Sequence, residues 1–336
     1  MKARFASTLL LACIPVLPAA DLAVYAIDVE GGKSTLFVSP TGESLLVDTG
    51  YDGLKGRDAD RIVAAARAAG VKQIDYLVIT HYHHDHVGGV PQLAAKMPIR
   101  NFVDHGQNFE QVKDNDAVYN AYLAARKKGN HIVVKAGDRI PIQGIQVDVV
   151  TASGVGIAQP LPGAGQANPA CASYHPLSVD TGENAHSIGM VVTYGSFRLV
   201  DLGDLYWNQE HDLACPANKL GVVDVYLTTH HAKKTSGSPQ MVWALHPKVA
   251  IMNNGPTTGG AVGAWQTIHD SPGLLDLWQL HFASANGPTH NSPEALIANL
   301  VQDSDYCQGA WIQLTASQDG AFTVQNGRTH FSKSYH

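Results

Sequence analysis

Hydrophobic and polar positions along the chain first alternate with a period of two. LAVYAIDV (22–29), STLFV (34–38) and SLLVDTG (44–50) read as antiparallel strands, with SPTGES as the turn between the last two. DADRIVAAARAAG (58–70) changes to a helical period, with Asp58 placed to cap its start and Gly70 to stop it. IDYLVIT (74–80) is a continuous apolar run rich in β-branched residues, the pattern of a strand buried on both faces. GGVPQLAAKM and DAVYNAYLAARKKG return to the helical period, and IQVDVVTA to a strand. GMVVTYGSFRLVDLGD predicts a hairpin turning at Gly195–Ser196, and VVDVYLTTHH another buried strand. SPQMVWALHP and SPEALIANL look like helices opening at Ser-Pro. AWIQLTAS and AFTVQN close the chain as two strands around QDG. Residues 153–185, rich in Gly, Pro and Ala and without periodicity, read as a long loop of the kind that is usually functional. With no linker of biased composition and no repeat, one α+β domain over 21–336 is the simplest reading.

The first twenty residues stand apart. Two cations, Lys2 and Arg4, precede an apolar stretch from Phe5 to Leu17 and then small residues before Asp21. That is the shape of a secretory signal peptide cleaved near Ala19 or Ala20, with lipid anchoring at Cys13 as the lesser alternative. The expectation is a periplasmic or secreted protein, and no later run approaches the ~20 apolar residues of a membrane helix. Cleavage removes Lys2 and Arg4 and no acid, taking the net charge from −6 to −8. Such a surface offers no dedicated nucleic-acid-binding footprint and suits a small substrate better than a polyanion. In an oxidising compartment one disulfide is expected, Cys171 with Cys215, both in Pro-rich irregular stretches, leaving Cys307 over.

Candidate chemistry concentrates in HYHHDH (81–86), four imidazoles and a carboxylate in six positions at the C-terminal end of a buried strand. Massed histidines repel when protonated and waste hydrogen-bonding groups when buried, whereas neutral imidazole with carboxylate suits zinc, manganese or iron. Further candidates sit at strand ends: His186, Asp204, and the pair His230 and His231. The VEGGKST run mimics a phosphate loop but lacks the glycine five residues before Gly32, where Ile27 stands; it reads as a turn. GPTTGGAVGAW reads as a loop near the cleft. His105, His131, His175, His269, His281 and His290 read as structural or rim residues, with Trp278 and His281 the pair that could line a pocket.

HYHHDH resembles the H-x-H-x-D-H signature of the metallo-β-lactamase-fold hydrolases, and LLVDTG, HSIGM, LGDL and LTTHH follow in that family's order. The resemblance covers residues 22–255 and implies a four-layer αββα sandwich with the site along one edge of two sheets. It implies two ions, zinc foremost, with manganese or iron as alternatives. One would take His81, His83 and His186; the other Asp85, His86 and His230, with Asp204 bridging and Asp48 behind. His231 is the rival of His230, one position on. A metal-bridged hydroxide would be the nucleophile, oriented by Asp85. The context of Asn184, Ser187, Gly203–Asp204–Leu205 and His230–His231 further resembles the nuclease-like domains of competence DNA-uptake (ComEC-type) proteins, from which Ala232, in place of Gly, departs. That branch points to phosphodiesters. The same site could serve a β-lactam, lactone, ester or thioester, and a di-iron redox protein is the reading of another class.

Overall fold

The computed structural model describes residues 21–110, 113–301 and 306–336. The segment read as an export signal, with Cys13, lies outside the described residues.

Two large twisted sheets form the centre. The first runs in the order 332–335, 322–326, 312–316, 22–26, 35–38, 44–47, 74–78, 99–104, 130–133. It is antiparallel up to the strand Ser44–Val47 and parallel beyond it. The second runs 297–299, 276–281, 249–252, 225–227, 197–201, 189–194, 146–152, 139–140, parallel up to Phe197–Asp201 and antiparallel beyond.

Alternation along each strand sorts side chains into layers. Val24, Phe37, Leu45, Val47 and Val78 from the first sheet meet Met190, Val192, Leu199, Val225 and Ile251 from the second in one central core. The opposite faces take the helices. Leu36, Leu46, Leu77 and Phe102 pack under Arg57–Ala68, Val90–Lys96 and Lys113–Arg126. Val191, Val200, Tyr226 and Ala250 pack under Trp207–Ala214, Pro239–Leu245 and Val262–His269. Three cores between four layers are an αββα sandwich, as the resemblance implied. Among the described residues, no helix is long and apolar enough to cross a membrane.

Several expectations change in detail. Helix Arg57–Ala68 follows Gly56, and Asp58 lies inside it with its carboxylate accepting the Tyr51 N–H at 2.8 Å. Asp58 therefore holds the loop that carries Tyr51 instead of capping its own helix. SPEALIANL forms only a short 3₁₀ turn, Glu294–Leu296, and then the strand Ile297–Asn299 beside Asp276–His281. Parallel pairing and burial outweigh helical periodicity there. Trp278 and His281 do not line a pocket: both are fully buried, Trp278 donating to the Tyr335 hydroxyl at 3.0 Å.

Cys171 and Cys215 form a disulfide with Cα atoms 5.8 Å apart. It ties the long loop to the end of helix Trp207–Ala214 and closes a span of 44 residues. Chain-entropy loss in the unfolded state puts its contribution at about 4 kcal/mol. Cys171→Ser is expected to lower stability by a few kcal/mol in urea denaturation, and the same loss should follow reduction of the wild type.

Candidate metal centre

Parallel strands stop together along one edge, and the candidate residues follow immediately: Asp48 after Val47, the histidine cluster after Val78, Asp204 after Asp201, His230 and His231 after Leu227. Ligands in open α/β sheets bind at such carboxyl ends. Backbone conformation then aims the side chains. Residues 79–83 leave the strand without regular structure, His83 extended, before the single helical turn His84–Val87, where Asp85 and His86 are buried. Gly203 takes φ +57, and a Cβ there would lie 2.8 Å from Ser187 Cβ, so only glycine permits the turn that presents Asp204.

Four donors converge. Asp85, His86, Asp204 and His231 each place a ligand atom within 4.8 Å of the others, all buried. Asp204 Oδ2 lies 3.2 Å from both His86 Nε2 and His231 Nε2, and the two nitrogens lie 3.3 Å apart. Asp85 Oδ2 lies 3.5 Å from His231 Nε2. Ligands about 2.0–2.1 Å from a tetrahedral ion stand about 3.3 Å from one another, so the set fits one divalent ion. Asp204 Oδ1, buried, finds no hydrogen-bond partner among the described residues and stays available.

Hydrogen bonds behind these groups set their tautomers. Asp48 Oδ2 faces His86 Nδ1 at 2.8 Å and takes the Thr80 hydroxyl at 2.8 Å, while Asp48 Oδ1 takes the Thr80 N–H. His86 therefore donates from Nδ1 and turns Nε2 to the centre, the carboxylate–histidine arrangement common behind bound metals. His231 Nδ1 lies 3.3 Å from both the Asn253 carbonyl oxygen and the Asn253 side-chain nitrogen, so Asn253 holds the ring and leaves Nε2 facing the centre.

His81 and His83 make a second pair beside this group. Thr80 Oγ1, whose proton goes to Asp48, accepts from His81 Nδ1 at 3.1 Å. Glu110 accepts from His83 Nε2 at 2.9 Å. The nitrogens left bare, His81 Nε2 and His83 Nδ1, point at each other across 3.0 Å. Two lone pairs at that distance repel unless a proton or a metal ion lies between them. The residues thus fit a second ion, with Asp204 Oδ2 4.0 Å from His81 Nε2.

Electrostatics agree with cation binding. Burial would raise Asp204, but His231, His86 and His230 outweigh it and hold its carboxyl well below the usual range. Asp85 is likewise lowered against its burial, by His86 and His231. Burial would lower His86, yet Asp204, Asp48 and Asp85 raise it well above an ordinary imidazole. His81 goes down, through burial first and then through His86 and His83.

Two expected ligands are corrected. His231, not His230, completes the four-donor group. Residues 230–232 all take left-handed backbone, φ 50, 54 and 57, and this tight turn sends His231 beneath the carboxylates and His230 to the cavity wall. There His230 stacks on Tyr206 with centroids 5.1 Å apart, Nδ1 against Ser236, and Nε2 3.6 Å from Asp204. Burial, then Lys233, His231 and His86, push it down to about 3. His186 does not join His81 and His83. Its Nδ1 donates to the Gly182 carbonyl at 2.7 Å, and its ring stacks on Phe109 at 3.8 Å. Asn184, from the same 3₁₀ turn Glu183–His186, lines the cavity instead, its buried Oδ1 without a partner among the described residues.

Sequence reading missed Glu110 and Tyr51 altogether. Glu110 stands 27 positions from His83 and carries no motif; only the fold brings them together.

A separate cluster joins Asp28, His281 and Cys307. His281 Nε2 meets Asp28 Oδ1 at 2.8 Å and, although burial opposes it, these bonds to Asp28 and Cys307 raise His281 to about 9. Its folded value exceeds the unfolded value near 6.5. The resulting stability, on the order of 3 kcal/mol, is complete well below pH 6.5 and is lost as pH rises through 9. Urea denaturation at pH 6, 7.5 and 9 should show that fall, and His281→Gln should remove it.

Comparison with known proteins gives partial matches. Residues 27–165 match the family model of the Metallo-beta-lactamase superfamily. ComE operon protein 3 of Bacillus subtilis is 25% identical over 244 residues, 68% of this chain and 28% of that protein. A 42-residue stretch is 48% identical to Hydroxyacylglutathione hydrolase of Alkalilimnicola ehrlichii, 12% of this chain and 16% of that one. The chain thus spans less than a third of either relative's length. Among solved structures, the metallo-beta-lactamase fold protein YhfI of Bacillus subtilis aligns with TM-score 0.48 at 12% identity, over 77% of this chain and 96% of its own. Paired sheets and the edge-on His/Asp cluster give the chain the metallo-beta-lactamase fold, and residues 27–165 are similar in sequence to that superfamily.

Proposed function

We propose that the protein is an exported metal-dependent hydrolase of small phosphodiesters, with zinc as its metal and two ions in the full centre. The observation that carries this reading is the composition of the cavity above the centre. About 720 Å³ in volume, it is floored by His83, Asp85 and Asp204 and walled by His230, Lys233 and Lys234. Cations beside a carboxylate-rich floor have little to hold in a neutral substrate, but they offset a phosphate. Tyr51, Tyr206 and Thr258 add hydroxyl-bearing side chains to the walls.

Bound divalent ions would supply Lewis-acid polarisation and acidify water at neutral pH. Asp85 orients the attacking water from the floor. Lys233 and Lys234 hold the anionic group, and the aromatic pair Tyr206–His230 forms a flat wall against its organic part. With a net charge of −8 on the exported chain, long polyanions are disfavoured.

The local match to Hydroxyacylglutathione hydrolase favours a thioester as the second reading. Turnover of bis(p-nitrophenyl) phosphate and of a thioester by zinc-loaded protein, with Asp85→Asn alongside, separates the two. Phosphodiester turnover that falls at least ~100-fold in the variant supports the first reading. A folded, fully loaded protein that cleaves only the thioester sinks it.

A further inference from the structure

The Gly31-Gly32-Lys33-Ser34 run, dismissed above as a turn, buries a lysine. Lys33 is 1% exposed, and its Nζ donates to Asp201 Oδ1 on the opposite sheet, a carboxylate 0% exposed. A buried Lys–Asp pair is weak evidence for stability, because desolvation of both charges offsets most of their attraction. Its neighbours suggest another use. On the lysine side, the Lys33 N–H donates to the Asp85 carbonyl at 3.0 Å, and the Lys33 carbonyl accepts from Gly50 N–H at 3.0 Å, two residues past Asp48. On the aspartate side, Oδ1 also accepts the Gly203 N–H at 3.0 Å, and the Gly203 carbonyl accepts the His230 N–H at 3.0 Å. One side chain therefore joins the strand ends that carry Asp85 and His86 to those that carry Asp204 and His231.

We propose that the Lys33–Asp201 ion pair is a positioning brace, which sets the spacing between the two halves of the metal centre and thereby its metal affinity. The inference rests on the reading that these four residues bind a metal ion. Asp85 and Asp204 come from different sheets and repel each other, so without the brace the halves drift apart at the place where ligands must stay within about 0.5 Å.

The decisive variant is Lys33→Met/Asp201→Asn. It removes both charges together and keeps a carbonyl to accept the Gly203 N–H. Lys33→Met alone strands a buried carboxylate and is expected to unfold more readily. Three quantities would be measured on the full folded chain: Zn²⁺ affinity by chelator competition, the Co²⁺ absorption bands, and hydrogen exchange of the Gly203 and Asp204 amides in metal-free protein. The brace predicts a metal Kd raised roughly 10–100-fold, shifted cobalt bands and faster exchange at those two amides, with unchanged far-UV dichroism. Wild-type affinity, bands and exchange in the double variant would reduce the pair to core packing and overturn the proposal. A double variant that cannot fold overturns it as well, since the pair then serves the fold itself. Should wild-type protein bind no metal, the centre is refuted, and exchange at the two amides alone decides whether the pair orders the strand ends.

Discussion

His231→Ala is expected to weaken the tightest metal site by ~100-fold or more, while His230→Ala leaves its stoichiometry and affinity close to wild type. His231 Nε2 lies within 3.5 Å of His86, Asp204 and Asp85 together, whereas His230 comes near Asp204 alone, at 3.6 Å. Binding energies of about 10–16 kcal/mol for four-ligand zinc sites assign each ligand a share of a few kcal/mol. Loss of His231 also leaves Asp85 and Asp204 with one cationic neighbour fewer in a buried place. Metal content after dialysis and competition with a chromogenic chelator read both variants. Equal loss in the two would mean that the left-handed turn at 230–232 does not separate their roles. Turnover should divide differently from affinity: His230→Ala, which alters the cavity wall, raises KM more than it weakens the metal.

Metal removal should cost the fold about as much stability as loss of the Cys171–Cys215 disulfide. Two carboxylates and two imidazoles converge within 4.8 Å in a buried group, and an ion held there would bind the folded chain alone. At a free-metal concentration 1,000 times its Kd, such an ion contributes about 4.1 kcal/mol. At about 2.1 cal/mol/K of unfolding entropy per residue, a chain of this length shifts Tm by ~1.5 °C per kcal/mol, so chelation should lower Tm by roughly 6 °C. The loss should come in two stages. His81 and His83 present only two nitrogens, with Glu110 behind one of them, so the ion at that pair leaves first and at little thermal cost. A Tm indifferent to chelator, in protein shown to have contained metal, would contradict this account.

Much of the centre was legible because its chemistry is local. HYHHDH packs its ligands into six positions after a buried strand, and Thr80 and Asp48 lie close to strand ends that alternation already marks. The hairpin at Gly195–Ser196 and the Ser238 cap of helix Pro239–Leu245 were equally open to reading, since each depends on a few neighbouring residues. Register and direction were not. Whether His230 or His231 turns inward depends on three consecutive left-handed residues, a conformation that non-glycine sequence does not announce. His186 sat in the right motif, yet Phe109, 77 positions away, captures its ring. Helical periodicity in SPEALIANL gave way to an edge position beside Asp276–His281 that no local signal describes.

What the amino-acid sequence determined by itself, then, was a strand-rich α+β domain and the histidine–aspartate chemistry at the end of a buried strand. Both follow from the order of residues along short stretches. Tertiary structure alone decided which imidazoles face the centre, that Glu110 backs His83, and that Lys33 reaches Asp201 across 168 residues. The physical reason is that a metal centre tolerates errors of a fraction of an ångström. Such spacing arises where two sheets pack, from bonds between residues that sequence keeps far apart.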